Sequence, residues 1–285
     1  MTSDPAVPNL SDQFKAAGLA RLAPALQSLA APSLRLKTRA ADDQQLGLGV
    51  TKLGGLPDLP AGAAWPAWNG MPLGFVAQIH IDEVRAYPVA QSLPVDGWLT
   101  FFYDGRQQAF GDKPGDRGAW QVRYAPAGAL ALARLAAPPG LPGESRFKPC
   151  AVEYAADVTL PQRPLVFAPQ LGWTPDEQHH YEDFLDQRVT DRGTPRHRLL
   201  GHADEIQDDM HLQCQLLSHG LADEQDPRAA ALAAEALNWQ LLLQVDSDDA
   251  AGMQWGSAGR LYFYIEQAAL QARRFDNVWM VMQSD

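Results

Sequence analysis

Three carboxylates, Asp246, Asp248 and Asp249, fall within four positions of one another. Oxygen donors packed this closely suit Ca²⁺ or Mg²⁺, which prefer hard ligands. A cation held there with an open position would activate a water, the chemistry of a divalent-metal-assisted hydrolase. An EF-hand loop needs Gly at its sixth place and Glu at its twelfth; counted from Asp246 these are Ala251 and Ser257. The plainer reading is that the acids cap turn N–H groups and stay solvated. A second set, His202, His211 and Cys214 with Asp204 or Asp208, has atom types that zinc accepts. Neither Cys-x-x-Cys nor His-Glu-x-x-His is present, so hydrogen-bonded histidines and a buried thiol are preferred. Ser257, in Trp255-Gly-Ser-Ala-Gly, misses the Gly-x-Ser-x-Gly elbow by one residue. Gly54-Gly55 is followed by prolines and no Lys, unlike a phosphate loop.

The acids sit in the connector of a β-hairpin signature. An apolar run from Leu237 leads to Val245, and a β-prone run, Arg260-Leu-Tyr-Phe-Tyr-Ile, follows the Gly-containing turn. Further strands are expected at Ser33–Thr38, Pro72–Ile81, Gly97–Asp104 and Trp120–Tyr124, and at the end of the chain, where Val278, Met280 and Met282 alternate. Residues 53–70 carry too many prolines for a helix or a central strand and read as an ordered loop with buried Trp. Residues 125–143 read as a loop or linker, and 147–161 as partly extended. Helices are expected from Ser11 through Leu29, broken at Pro24, and from Asp176 to Val189, where Pro175 and two acids favour the N-terminus. Another is expected from Pro227 to Leu237. Residues 1–9 read as a loose tail.

The chain of 285 residues is 46% hydrophobic and 20% charged, as in ordinary globular proteins, with a formal net charge of −11. That field repels nucleic acid and favours a basic protein partner. The densest basic cluster, Arg192, Arg196, His197 and Arg198, reads as a solvated loop. Two cysteines, Cys150 and Cys214, are too few for a disulfide framework, and no run approaches the roughly 20 apolar residues of a membrane span. With no signal-peptide pattern at the N-terminus, a cytoplasmic location with reduced thiols is expected.

Three pieces recur in order. Leu53-Gly-Gly-Leu-Pro-Asp-Leu-Pro resembles Leu200-Gly-His-Ala-Asp-Glu-Ile-Gln, Phe75-Val-Ala-Gln-Ile-His-Ile resembles Leu241-Leu-Leu-Gln-Val-Asp-Ser, and Gly97-Trp-Leu-Thr-Phe-Phe-Tyr-Asp resembles Gly259-Arg-Leu-Tyr-Phe-Tyr-Ile-Glu. An ancient duplication follows, placing Gln78 and Gln244 at equivalent strand positions. Buried amides need partners for both ends. They would tie adjacent loops together, or else line a shared cleft together with Trp255, Asp58 and Asp204. The aromatics Trp65, Trp68, Trp98, Trp255 and Tyr262 are expected to pack the core or line a groove.

These motifs, with Gly74-Phe-Val-Ala-Gln-Ile and Gly252-Met-Gln-Trp-Gly-Ser-Ala-Gly-Arg-Leu-Tyr-Phe, resemble the YwqG-like family, a bacterial domain family of unknown function. Ala203 departs from the Pro that commonly precedes the Asp in that family. The resemblance implies an α+β fold, β-rich, with antiparallel sheets and peripheral helices. It supplies no catalytic residues and implies an immunity-like or partner-binding role. The expected organisation is an N-terminal helical segment, 1–45, packed on a single domain, 46–285, whose related halves span about 46–160 and 195–285. The leading functional expectation is a protein-partner-binding module, not an enzyme. The alternatives are the metal-assisted hydrolase at Asp246–Asp249, with Ca²⁺ or Mg²⁺, and a small-molecule module in the cleft between the halves.

Overall fold

The computed structural model describes residues 9–128 and 131–284; the expected tail lies almost wholly outside them. Fourteen strands occur among the described residues. The first is β1 (Ala31–Ala40), then β2 (Lys52–Leu53), β3 (Asp58–Pro60), β4 (Ala67–Trp68), β5 (Met71–Pro72), β6 (Gly74–His80) and β7 (Trp98–Tyr103). They continue with β8 (Trp120–Ala125), β9 (Leu132–Arg134), β10 (Cys150–Thr159), β11 (Arg198–Leu199), β12 (Trp239–Asp246), β13 (Arg260–Glu266) and β14 (Trp279–Gln283).

Ten of these form one antiparallel sheet in the order β14-β13-β12-β11-β1-β10-β2-β6-β7-β8. Its two edges meet. Trp120 Nε1 on β8 donates to the Val278 carbonyl at 2.9 Å, beside β14, and the Trp120 and Trp279 rings pack edge to face at 4.9 Å. The sheet is thus a nearly closed barrel, with Phe101 and Phe263 touching at 5.1 Å in its core. Near closure explains the strand patterns. β6, β7, β12, β13 and β14 are buried along nearly their whole length, whereas β1 and β10 keep polar residues toward solvent.

The expected hairpin is β12–β13, paired with Gln244 opposite Tyr262. One expectation is corrected: the stretch 125–143, read as a loop or linker, contains β9, which pairs with β3. The stretch 147–161, expected to be partly extended, holds a ten-residue strand, β10, paired with all of β1 at the middle of the sheet. The N-terminal segment likewise contributes β1 as well as its helices.

Among the described residues, eight α-helical segments accompany the barrel: α1 (Leu10–Ala16), α2 (Ala23–Ser28), α3 (Ile81–Val84), α4 (Pro164–Phe167), α5 (Pro175–Gln187), α6 (His211–Ser218), α7 (Ala229–Ala233) and α8 (Gln267–Gln271). The Ala-rich helix is shorter than the expected 227–237 span, because the chain tightens into a 3₁₀ turn at Ala236–Asn238. The start of α5 is fixed by a capping box, in which the Thr174 side chain accepts from Glu177 N while the Glu177 side chain accepts from Thr174 N. Phe14, Leu26, Tyr181 and Phe184 form a second core, joining α1 and α2 to α5.

The loop between β7 and β8 covers the barrel seam. Trp279 Nε1 donates to the Gly111 carbonyl at 3.0 Å and Met282 N to the Phe110 carbonyl at 2.8 Å. Gly111 has φ +73°, and a Cβ there would overlap the Met280 carbonyl. Gly111→Ala should therefore lower stability by about 3 kcal/mol or more. Urea unfolding of both proteins checks this, and a loss near zero would show that the loop is not fixed on β14.

Candidate functional site

Gln78 and Gln244 are both fully buried. Gln78 Oε1 accepts from Asp58 N at 2.9 Å, and its Nε2 donates to the Val50 carbonyl at 2.9 Å. Gln244 Oε1 accepts from Asp204 N at 2.9 Å, and its Nε2 donates to the Arg196 carbonyl at 2.7 Å. Each amide also reaches its Asp carboxylate, which meets a buried cation: Lys52 Nζ lies 3.1 Å from Asp58, and Arg198 Nη1 lies 3.1 Å from Asp204. Both amides hold a loop to a strand. Burial would raise the Asp58 pKa, but the Arg134 and Gly49 hydrogen bonds and the Lys52 charge hold it below the ordinary value.

The hairpin acids do not converge. Asp246 pairs with Arg260 Nε at 3.1 Å and accepts from Arg196 N at 2.8 Å. Asp248 accepts from Thr38 Oγ1 at 2.7 Å and lies 3.1 Å from His197 Nε2. His197 Nδ1 accepts from Asp246 N, so Nε2 carries the proton. Burial works against the Asp248 carboxylate, yet these hydrogen bonds hold its pKa down at about 2. Asp249 is exposed at the turn. Trp255 is buried beneath this connector, its rings against Tyr103 and Phe147 and its Nε1 donating to the Asp246 carbonyl.

His202, His211 and Cys214 are also kept apart. The Phe167 ring lies 4.9 Å from His202 and 5.1 Å from His211. His202 Nε2 bonds the Leu29 carbonyl at 2.7 Å, and burial pushes its pKa down to about 4. Burial pushes the Cys214 thiol well above its ordinary value. Among the described residues, no three His, Cys, Asp or Glu side chains are grouped to hold a metal ion.

A cavity of about 770 Å³ opens between α5 and the middle of the sheet. Its sheet wall carries Arg35 from β1, Asp157 from β10, Arg196, Arg198 and Asp204. Asp204 is shared: Arg196 Nη2 lies 2.9 Å from one oxygen and Arg198 Nη1 3.1 Å from the other. Arg35 Nη2 lies 2.9 Å from Asp191 and 3.2 Å from the Pro195 carbonyl. Among the described residues, the Nε–H groups of Arg35, Arg196 and Arg198 are buried without an acceptor. Burial, helped by repulsion from Arg198, Arg260 and Arg35, depresses the Arg196 pKa despite Asp204. The basic cluster is therefore not a solvated loop: Arg192 is exposed, but Arg198 is 3% exposed and His197 not at all. The opposite wall presents Trp173, Glu182, Leu185 and Val189.

Asp204 is the one proposed ligand-binding residue that lines this cavity; Gln78, Gln244, Trp255 and Asp58 do not. Asp58 lies on a smaller cavity, of about 110 Å³, with Trp98 and Arg123. Sequence reasoning passed over Arg35, Arg196 and Arg198, whose only signal was charge density, and over Glu205. Glu205 accepts from Arg163 at 2.7 Å and faces Asp209, which lies 2.7 Å from His211 Nδ1.

The fold and site define a β-rich, nearly closed antiparallel barrel with an arginine-walled lateral cavity. The chain belongs to the family described as Domain of unknown function (DUF1963), which it matches over residues 51–284. No curated protein matches it.

Burial, and after it the Asp209 charge, pushes the Glu205 carboxyl up to about 7. The folded state thus keeps a proton that the unfolded chain releases at lower pH. This contribution to stability is complete below the ordinary glutamate pKa and is lost as pH rises through about 7. Glu205→Gln cannot titrate. Relative to that variant, the wild type should lose up to about 3 kcal/mol between pH 5 and pH 8. Urea unfolding across that range measures it, and parallel pH profiles would rule the assignment out.

Proposed function

We propose that this protein is a binding module whose ligand enters the cavity between α5 and the sheet. The observation carrying this reading is the arginine wall, where Arg196 and Arg198 share Asp204, Arg35 lies beside them on Asp191, and each of the three keeps a buried Nε–H without an acceptor among the described residues. Natural interiors rarely leave such groups unpaired. The volume is within the range of small-molecule sites.

The reading gains from the relation between the two halves, about 46–160 and 195–285, taken as an ancient duplication. Outward from β1 and β10 the sheet runs β11-β12-β13-β14 on one side and β2-β6-β7-β8 on the other. The register breaks between Phe75 and Ala77 and again between Leu241 and Leu243. Lys52 pairs with Gln78 as Arg198 pairs with Gln244. On this correspondence Arg196 is matched by Val50, and Arg35, which faces Arg198, is matched by Ala151, which faces Lys52. The polar frame is common to both halves, whereas the surplus arginines, Arg196 and, from β1, Arg35, stand beside only one of them. Residues added to a shared frame beside a cavity are candidates for function.

The YwqG-like resemblance and the net charge of −11 support a basic protein as a further partner of the same module. A metal-assisted hydrolase has less support, since Asp246 and Asp248 would have to leave Arg260 and His197.

Val189→Trp places a bulky ring against the cavity. Thermal unfolding of both proteins against a library of small metabolites should give compounds that raise the wild-type midpoint and leave the variant unmoved. Circular dichroism checks that the variant is folded. A library without effect, or one acting equally on both proteins, would count against this cavity.

A further inference from the structure

The cavity walls differ in charge. The sheet wall is cationic: Arg35 and Arg196 each direct only part of the guanidinium to a carboxylate, Asp191 and Asp204 respectively. Along α5, Glu182 and Asp186 are four residues apart and so share a face, beside Leu185 and Val189. Glu182 accepts from its own helix, from Gln178 at 3.0 Å. Trp173, Leu165 and Val166 add apolar surface between the charged walls. Over the whole lining, five arginines (Arg35, Arg163, Arg188, Arg196 and Arg198) stand against five carboxylates (Asp157, Glu182, Asp186, Asp191 and Asp204).

Opposite charges in equal numbers disfavour a ligand of large net charge; the sheet wall carries Arg35, Arg196 and Arg198 beside Asp157 and Asp204, and the α5 side carries Glu182 and Asp186 beside Arg188. A phosphate dianion would gain at the sheet wall and be repelled by the acids of α5 and Asp191. A neutral apolar molecule would leave the arginine donors unpaired. A ligand with an anion at one end, a cation at the other and apolar surface between them satisfies both walls.

We propose that the cavity takes a zwitterion of the amino-acid or short-peptide class, its carboxylate on Arg35 and Arg196, its ammonium at Glu182 and its apolar side chain against Trp173. The planar guanidinium is matched to a carboxylate, which it can hold through two N–H donors. The inference rests on the binding-module reading and adds the chemistry of the ligand.

The test uses the full chain and a mixed set of apolar dipeptides, followed by calorimetry and thermal unfolding. Parallel sets carry an acetylated N-terminus or an amidated C-terminus, and inorganic phosphate is a fourth probe. The free dipeptides should bind, and blocking either end should weaken binding by about tenfold or more. Arg196→Gln and Glu182→Gln should each have a similar effect, the second at an exposed position outside the core. Phosphate or the acetylated set binding as well as the free dipeptides would overturn the zwitterion. Metabolites that bind in a Val189→Trp-sensitive manner while every dipeptide fails would also overturn it, leaving the module reading intact. Failure of dipeptides and metabolites alike would remove both.

Discussion

Asp204 is buried with donors on both oxygens, and its ionised form lets Arg196 and Arg198 stand side by side in the cavity wall. Burial alone would raise its pKa. The two arginines, the Gln244 amide and Arg260 reverse that and hold it below the ordinary carboxylate value. Gln244 fixes the residue from the other side by accepting its backbone N–H. The Asp204 carbonyl in turn accepts from Tyr262 Oη at 2.6 Å and Arg260 Nη1 at 2.9 Å. One residue therefore joins the loop after β11 to β12 and β13 and sets the charge of the cavity wall. An isolated buried carboxylate would be costly; one that neutralises two cations and completes a hydrogen-bond set is not.

The same logic holds at Asp58 with a different cation. Lys52 is wholly buried, and burial lowers its pKa against the opposing pull of Asp58. A lysine there is a single point charge, whereas Arg198 offers a fork that can reach Asp204, the His202 carbonyl and Asp157. Both cations keep a buried nitrogen without a well-aligned acceptor among the described residues, Lys52 Nζ and Arg198 Nε, but Arg198 has Arg196 and Arg35 alongside, and the cavity of about 770 Å³ lies on that side of the barrel.

Much of the scaffold was legible because local signals agreed with the fold. Pro175 and two acids marked the start of α5, and apolar runs around a Gly-containing turn marked β12 and β13. β10 was obscured because its alternation is weak: Ala151, Ala155 and Ala156 carry little apolar signal, and its order comes from pairing with β1. The arginine wall was invisible for another reason: local sequence cannot distinguish a solvated basic run from one buried against Asp204 and Asp157. Leu53-Gly54 aligns by eye with Leu200-Gly201, whereas pairing with the two Gln-bearing strands sets Leu53, opposite Ala77, level with Leu199, opposite Leu243. Leu200 has φ +61°, close to the +63° of Gly54, so a leucine occupies the left-handed position where a glycine is expected.

The family match begins at residue 51 and so includes both Gln–Asp frames but not β1. Yet β1 pairs along its whole length with β10 and also with β11, and it supplies Arg35 to the cavity and Thr38 to Asp248. Without β1 the sheet would have two unpaired edges at its centre, and Asp248 would lose a donor. The helices before it support the cavity's other wall, because Phe14 packs on Phe184 at 4.8 Å and Gln13 accepts from Arg188. The described residues ahead of the matched region, from β1 and the helices before it, are therefore structural members of the barrel and the cavity. A frame carried by the family region and a wall completed from outside it would allow related chains to share the barrel while differing in what the cavity recognises.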